Sequence, residues 1–140
     1  MHKSAVLAAI AIALTMGSCS DGPADVAKPV PAMVDTVVGV PEKQVTLNKD
    51  SAERISLATE AVKSGSGSET VVPYGAVIYD ADGLAWAYVA KGENIFIREA
   101  LKIDRIDGDK AYLISGPAVG TKVAVVGVAE LYGAETGIGK

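Results

Sequence analysis

From residue 69 onward, the chain is a succession of short apolar segments separated by turns that contain aspartate and glycine, such as residues 80–83 and 107–110. Glycine adopts a positive φ at no steric cost and aspartate hydrogen-bonds to nearby backbone, so both residues favour tight turns. The apolar segments have the usual length of β-strands. The predicted strands are residues 76–79, 84–89, 95–103, 111–114 and 121–126.

The predicted strand over residues 84–89 alternates, with Trp86 and Tyr88 on one face and alanine or valine on the other. Upstream, residues 44–47 alternate in the same way, and Asn48 is a suitable cap for a short helix that follows them. Together these patterns predict a mainly β fold, a small antiparallel β-barrel or sandwich with one short helix.

The start of the sequence carries a different pattern. Residues 5–16 are apolar apart from one threonine and follow His2 and Lys3. About 12 apolar residues are too few to span a ~30 Å hydrocarbon core, but they match the apolar region of a secretory signal peptide. Residues 16–19, Met-Gly-Ser-Cys, resemble a bacterial lipobox. The resemblance implies cleavage before Cys19 and attachment of acyl chains such as palmitate there; a plain signal peptide or a single-pass anchor are the alternatives.

These patterns divide the chain into four parts. Residues 1–18 are the predicted lipoprotein signal peptide, and residues 19–42 are the lipidated Cys19 followed by a flexible tether rich in proline, glycine and alanine. Residues 43–136 are the β-rich domain, and residues 137–140 form a tail.

Composition narrows the chemistry. The formal net charge of −4 argues against nucleic acid as a partner. One cysteine cannot form an intrachain disulfide, and one histidine, His2, lies in the predicted leader. The sequence contains neither the Gly-x-Ser-x-Gly nucleophile motif nor a phosphate-binding glycine loop. We therefore predict a protein that is not an enzyme, with no catalytic residues, no cofactor, no metal site and no identified small-molecule substrate.

The acidic residues of the predicted turns are the one group that could form a metal or catalytic site. Asp80, Asp82, Asp107 and Asp109 lack the spacing of a calcium-binding EF-hand loop, so we interpret them as turn residues. An enzyme would need two close carboxylates, such as Asp80 with Asp107, one of them with a raised pKa.

Several segments together carry a family resemblance. They are residues 45–59, 72–80 (VPYGAVIYD), 86–89 (WAYV), 116–123 (GPAVGTKV) and 127–135 (GVAELYGAE), with Phe96 and Arg98 between them. In this order they resemble the C-terminal membrane-proximal region of periplasmic adaptor subunits, the membrane fusion proteins of resistance-nodulation-division (RND) efflux systems.

The resemblance implies a reduced adaptor or accessory subunit that supports export by docking on an inner-membrane RND pump, with a full-length adaptor as a second partner. Only residues 64–68 lie where a complete adaptor carries its lipoyl domain and helical hairpin. The expected location is a membrane, by the N-terminal lipid, facing the periplasm. Inner or outer membrane stays open, since Ser20 follows Cys19 where inner-membrane retention usually has aspartate. The alternative is a free-standing periplasmic ligand-binding lipoprotein unrelated to efflux.

Overall fold

The computed structural model describes residues 30–138. The predicted signal peptide, Cys19 and the beginning of the predicted tether lie outside the described residues, as do residues 139–140. The elements in chain order are β1 (Ala32–Thr36), β2 (Lys43–Leu47), α1 (Lys49–Arg54), β3 (Ala58–Ala61), β4 (Lys63–Ser64), β5 (Thr70–Pro73), a 3-10 turn (Tyr74–Ala76), β6 (Ile78–Tyr79), β7 (Ala85–Gly92), β8 (Ile95–Asp107), β9 (Lys110–Ser115), β10 (Lys122–Val126) and α2 (Val128–Thr136).

The strands form an antiparallel, nearly closed barrel. Its order is β3-β10-β7-β8-β9-β5-β4, and β3 and β4 are separated in the chain by Val62 alone. The backbone of Val62 bonds to Thr121 and Gly120 at the start of β10, so this one segment links the two ends of the ring. The predicted mainly β, barrel-like fold with a short helix is therefore confirmed.

β8 joins the barrel to an outer layer. Its first part pairs with β7 on one side and with β2 at Ile95–Ile97, and its second part, from Lys102 onward, pairs with β9. β1 pairs with β2 in turn. The hairpin of β1 and β2 thus extends the sheet beyond the ring.

Two clusters of buried side chains follow from the alternation along β7. Ala87 and Val89 face a cluster that draws on β5, β7, β8, β9 and β10 and includes Leu101, Leu113 and Val123. Tyr88 faces the opposite way, into a second cluster with Phe96, Val45 and Leu131 beneath β2 and α2. The predicted separation of Tyr88 from Ala87 and Val89 is confirmed.

The two α-helices differ in how far local sequence specifies them. α1 begins as predicted, with the Asn48 side chain accepting a hydrogen bond from the backbone N–H of Ser51 at 2.7 Å. α2 is not among the predicted elements. Gly127 precedes it at φ 84°, a conformation that favours glycine, and an added Cβ there would lie 2.8 Å from Ile55 Cδ1. α2 is fixed mainly by the burial of Leu131 and Glu135.

β1 also differs from the prediction. It lies inside residues 19–42, which the sequence predicts as flexible tether, so regular structure includes residues 32–36 as well as the predicted domain from residue 43. Its side chains alternate only weakly in burial, with Ala32 and Val34 partly covered, and its partner β2 fixes it through five paired positions. A strand that is stabilised mainly by its partner strand has little pattern of its own in the sequence.

Candidate functional site

A buried carboxylate connects α2 to the barrel. Glu135 and Ser51 are the buried polar residues in the described part of the chain. Glu135 accepts a hydrogen bond from the Tyr88 hydroxyl at 2.5 Å through Oε2, and its Oε1 lies 3.0 Å from Nε of Arg98. Tyr88 and Arg98 are directly opposite each other on β7 and β8. One carboxylate from α2 therefore lies over a cross-strand pair.

The network continues from Arg98 toward the turn after β6. The guanidinium carbon of Arg98 lies 4.4 Å from the centre of the Trp86 ring, within the range of a cation–π interaction. Trp86 Nε1 donates a hydrogen bond to Asp80 Oδ2 at 2.8 Å. Asp80 Oδ1 accepts from the backbone N–H groups of Asp82 and Leu84, at 3.0 and 2.9 Å. We call Asp80, Trp86, Arg98, Glu135 and Tyr88 the polar network.

The pKa shifts in the polar network keep Asp80 ionised and Tyr88 protonated at neutral pH. Burial, followed by the hydrogen bond to Glu135, raises the pKa of Tyr88, so its hydroxyl remains a donor at neutral pH. The backbone hydrogen bond from Leu84 is the main reason that the pKa of Asp80 is lowered. The buried Nε–H of Arg98 is not aimed well enough at Glu135 for a hydrogen bond, so that contact is an ion pair. The network joins structural elements and does not present a group poised for proton transfer.

We expect this arrangement to make the fold sensitive to alkali through Tyr88. In the unfolded chain Tyr88 ionises near pH 10, whereas in the folded chain its higher pKa keeps it protonated. Above about pH 10 the unfolded state therefore binds fewer protons than the folded state, and the free energy of unfolding falls as pH rises. Urea unfolding of the wild type and of Tyr88→Phe between about pH 9 and about pH 11 measures this.

Tyr88→Phe should be less stable at neutral pH but should lose less stability over the alkaline range. The pKa of Tyr79 is also raised, so Tyr79 contributes equally to the alkaline loss of stability in both proteins. Parallel pH dependences in the two proteins would contradict the role assigned to Tyr88.

The structure places the acidic residues that the sequence singles out in two different turns. Asp80 and Asp82 belong to the turn between β6 and β7, while Asp107 ends β8 and pairs with Lys110 across a hairpin. Within residues 30–138, no group of three or more metal-ligating side chains is present. Asp80 also has a lowered pKa, which is the opposite of what a paired catalytic acid requires. Cys19, the predicted lipidation site, lies outside the described residues.

The structure also distinguishes the five tyrosines, which the sequence alone cannot do. Tyr88 and Tyr132 belong to the second buried cluster or pack against it, and Tyr112 lies under the guanidinium of Arg105 at 3.9 Å. Tyr74 and Tyr79, by contrast, are 41% and 45% exposed.

Tyr74 and Tyr79 share one region of the surface. The pKa of Tyr79 is raised, first by burial and then by the neighbouring Tyr74. The 3-10 turn that carries Tyr74 runs along the end of β10, where a Cβ on Gly75 would lie 3.2 Å from the carbonyl oxygen of Val125. We call Tyr74 and Tyr79 the tyrosine patch; exposed tyrosines are enriched at protein-binding surfaces.

No family model, no curated protein and no solved structure matches this chain. In the described part of the chain, no helix is both long enough and apolar enough to cross a membrane.

Proposed function

We propose that this protein is a non-catalytic lipoprotein, anchored in a membrane through Cys19, that resembles a reduced periplasmic adaptor or accessory subunit of an RND-type efflux pump. It would support export by docking on the pump. The lipobox-like residues 16–19 and the ordered series of adaptor-like segments suggest this identity.

The convergence of the adaptor-like segments is the observation that carries the proposal. Trp86 and Tyr88 belong to one segment of the resemblance, Arg98 lies between the segments and Glu135 belongs to the last one, and all four are members of the polar network. Their role in joining α2 to the barrel is architectural. The residues that resemble the adaptor family would thus maintain a domain whose surface does the binding.

The tyrosine patch is the best-supported surface for the partner. Tyr74 and Tyr79 lie within the adaptor-like segment 72–80, yet neither is required for the buried clusters. A lipid anchor in the same membrane as the pump raises the effective concentration of the two proteins, so a modest interface is sufficient. The affinity would then come from a few aromatic contacts.

The proposal is tested by combining Tyr74→Ala and Tyr79→Ala in the full-length lipoprotein. Both side chains are exposed, so the fold should persist, while truncation of two central interface aromatics should reduce association about 10- to 100-fold. Recovery of the RND pump after crosslinking in membranes, with identification by mass spectrometry, gives the measurement.

A double variant with Ile106→Ala and Ile114→Ala is the matched control, because these residues are 45% and 59% exposed on β8 and β9. It should retain wild-type recovery of the pump. Failure of the wild type to crosslink to any pump subunit would refute the docking function. A rise in Tm caused by a small molecule, without pump association, would instead favour the free-standing ligand-binding lipoprotein.

A further inference from the structure

A shallow apolar groove separates β1 from α2. Its volume is about 540 Å³, and its side chains are mostly small and apolar. Glu130, at the rim, is the one charged residue among those that line it. The apolar residues that line it include Val30, Ala32, Val34, Ala129, Gly133 and Ile138.

The two ends of the described chain meet at this groove. Val30 and Ile138 are 65% and 69% exposed, which leaves two large apolar side chains in water in a groove that Ala32, Ala129 and Gly133 also line. Burial of apolar surface contributes about 25 cal/mol per Å², so covering this groove is favourable for any apolar surface that reaches it.

The position of the groove in the chain limits what that surface can be. Cys19 precedes Val30 by 11 residues. A fully extended segment spans at most about 3.5 Å per residue, so the groove stays within roughly 38 Å of a membrane-anchored Cys19. The bilayer surface is therefore always within reach of the groove, whatever path the tether follows.

The exposed side chains beside the groove suit the same occupant. Val30 and Ile138 are large and apolar, and apolar side chains enter the boundary between the headgroups and acyl chains of a bilayer.

We propose that the groove between β1 and α2 is a membrane-docking face. Val30 and Ile138 insert at the headgroup–acyl boundary of the bilayer that holds the Cys19 lipid. This inference rests on the lipid anchor of the proposed function. It adds that the barrel is held in one orientation on the membrane instead of moving freely at the end of its tether.

Depth measurements on the full-length lipoprotein test the docking face. The protein is reconstituted into vesicles of phosphatidylethanolamine and phosphatidylglycerol, with Val30→Cys or Ile138→Cys labelled by an environment-sensitive fluorophore. The emission should shift to the blue, and quenching by aqueous iodide should fall several-fold relative to the labelled controls. Ile114→Cys and Val119→Cys are matched controls, since Ile114 and Val119 are 59% and 55% exposed on other parts of the surface.

Groove labels that iodide quenches as strongly as the control labels would overturn the docking face while leaving the anchor intact. Protection that appears in detergent and grows with protein concentration would show that a second copy covers the groove, and would also overturn it. Fluorophore uptake by the wild type would reveal a free Cys19 thiol. That result would overturn the lipid anchor and the orientation that depends on it. Labelling of the wild type is measured independently of the depth of the groove labels, so the two failures can be distinguished.

Discussion

A chain carrying Glu135→Gln is expected to lose about 2–4 kcal/mol of its free energy of unfolding. The substitution keeps the size of the side chain and an oxygen for the Tyr88 hydroxyl, but removes the charge opposite Arg98. Removing one partner of a fully buried ion pair costs about 3–5 kcal/mol; the Arg98 side chain is 22% exposed, which lowers that cost. Urea unfolding gives the loss as a lower midpoint at an unchanged slope.

Glu130→Gln is the control, because Glu130 lies on the same helix but is exposed. We expect it to change stability by no more than about 0.5 kcal/mol. Combining Glu135→Gln with Arg98→Met should cost less than the sum of the two single changes, since the double variant leaves no unpaired charge. Equal stability of the Glu135→Gln and Glu130→Gln proteins would contradict the role of Glu135 in holding α2.

The elements that the sequence predicts well are those whose signals are local. The alternation of Trp86 and Tyr88 with small residues assigns the two faces of β7 before any partner strand is known. Asn48 sets the start of α1 through a hydrogen bond to a residue three positions away. Repeated turns of aspartate and glycine then leave few choices besides an antiparallel barrel or sandwich.

The elements that the sequence does not reveal depend on contacts between distant residues. α2 contains Gly133, which costs about 1 kcal/mol relative to alanine, so its local preference for a helix is weak. Its buried carboxylate bonds to Tyr88, 47 positions earlier. One signal was available, because Arg98 interrupts an apolar strand on the same face as Phe96 and therefore calls for a buried partner.

The tyrosine patch shows the same limit of prediction from sequence. Tyr74 and Tyr88 are the same residue type in neighbouring motifs, yet one is exposed and the other is fully buried. The difference arises because Tyr74 lies in a 3-10 turn outside the ladder, while Tyr88 lies in the middle of β7 between β8 and β10. Strand alternation assigns faces within a sheet but does not determine where a turn directs its side chains.

Removal of the proposed lipidation site, Cys19, is expected to release the protein from the membrane almost completely. A long acyl chain contributes on the order of 10 kcal/mol to membrane binding, at about 0.8 kcal/mol per buried CH₂ group. Cys19→Ala alone would leave the leader uncleaved, so we combine it with Met16→Ala. This places small residues at positions 16 and 18, as in an ordinary signal-peptide cleavage site.

The control is Met16→Ala alone, which keeps Cys19 and should remain in the membrane fraction with its acyl chains. The double variant should be found in the soluble periplasmic fraction, should have no acyl mass and should melt at the wild-type Tm, because residues 30–138, which carry both buried clusters, are unchanged in it. A docking face of two apolar side chains is too weak to hold it, since even a single short acyl chain gives only reversible binding. Sedimentation of the double variant with membranes to the same extent as its control would contradict the lipid anchor.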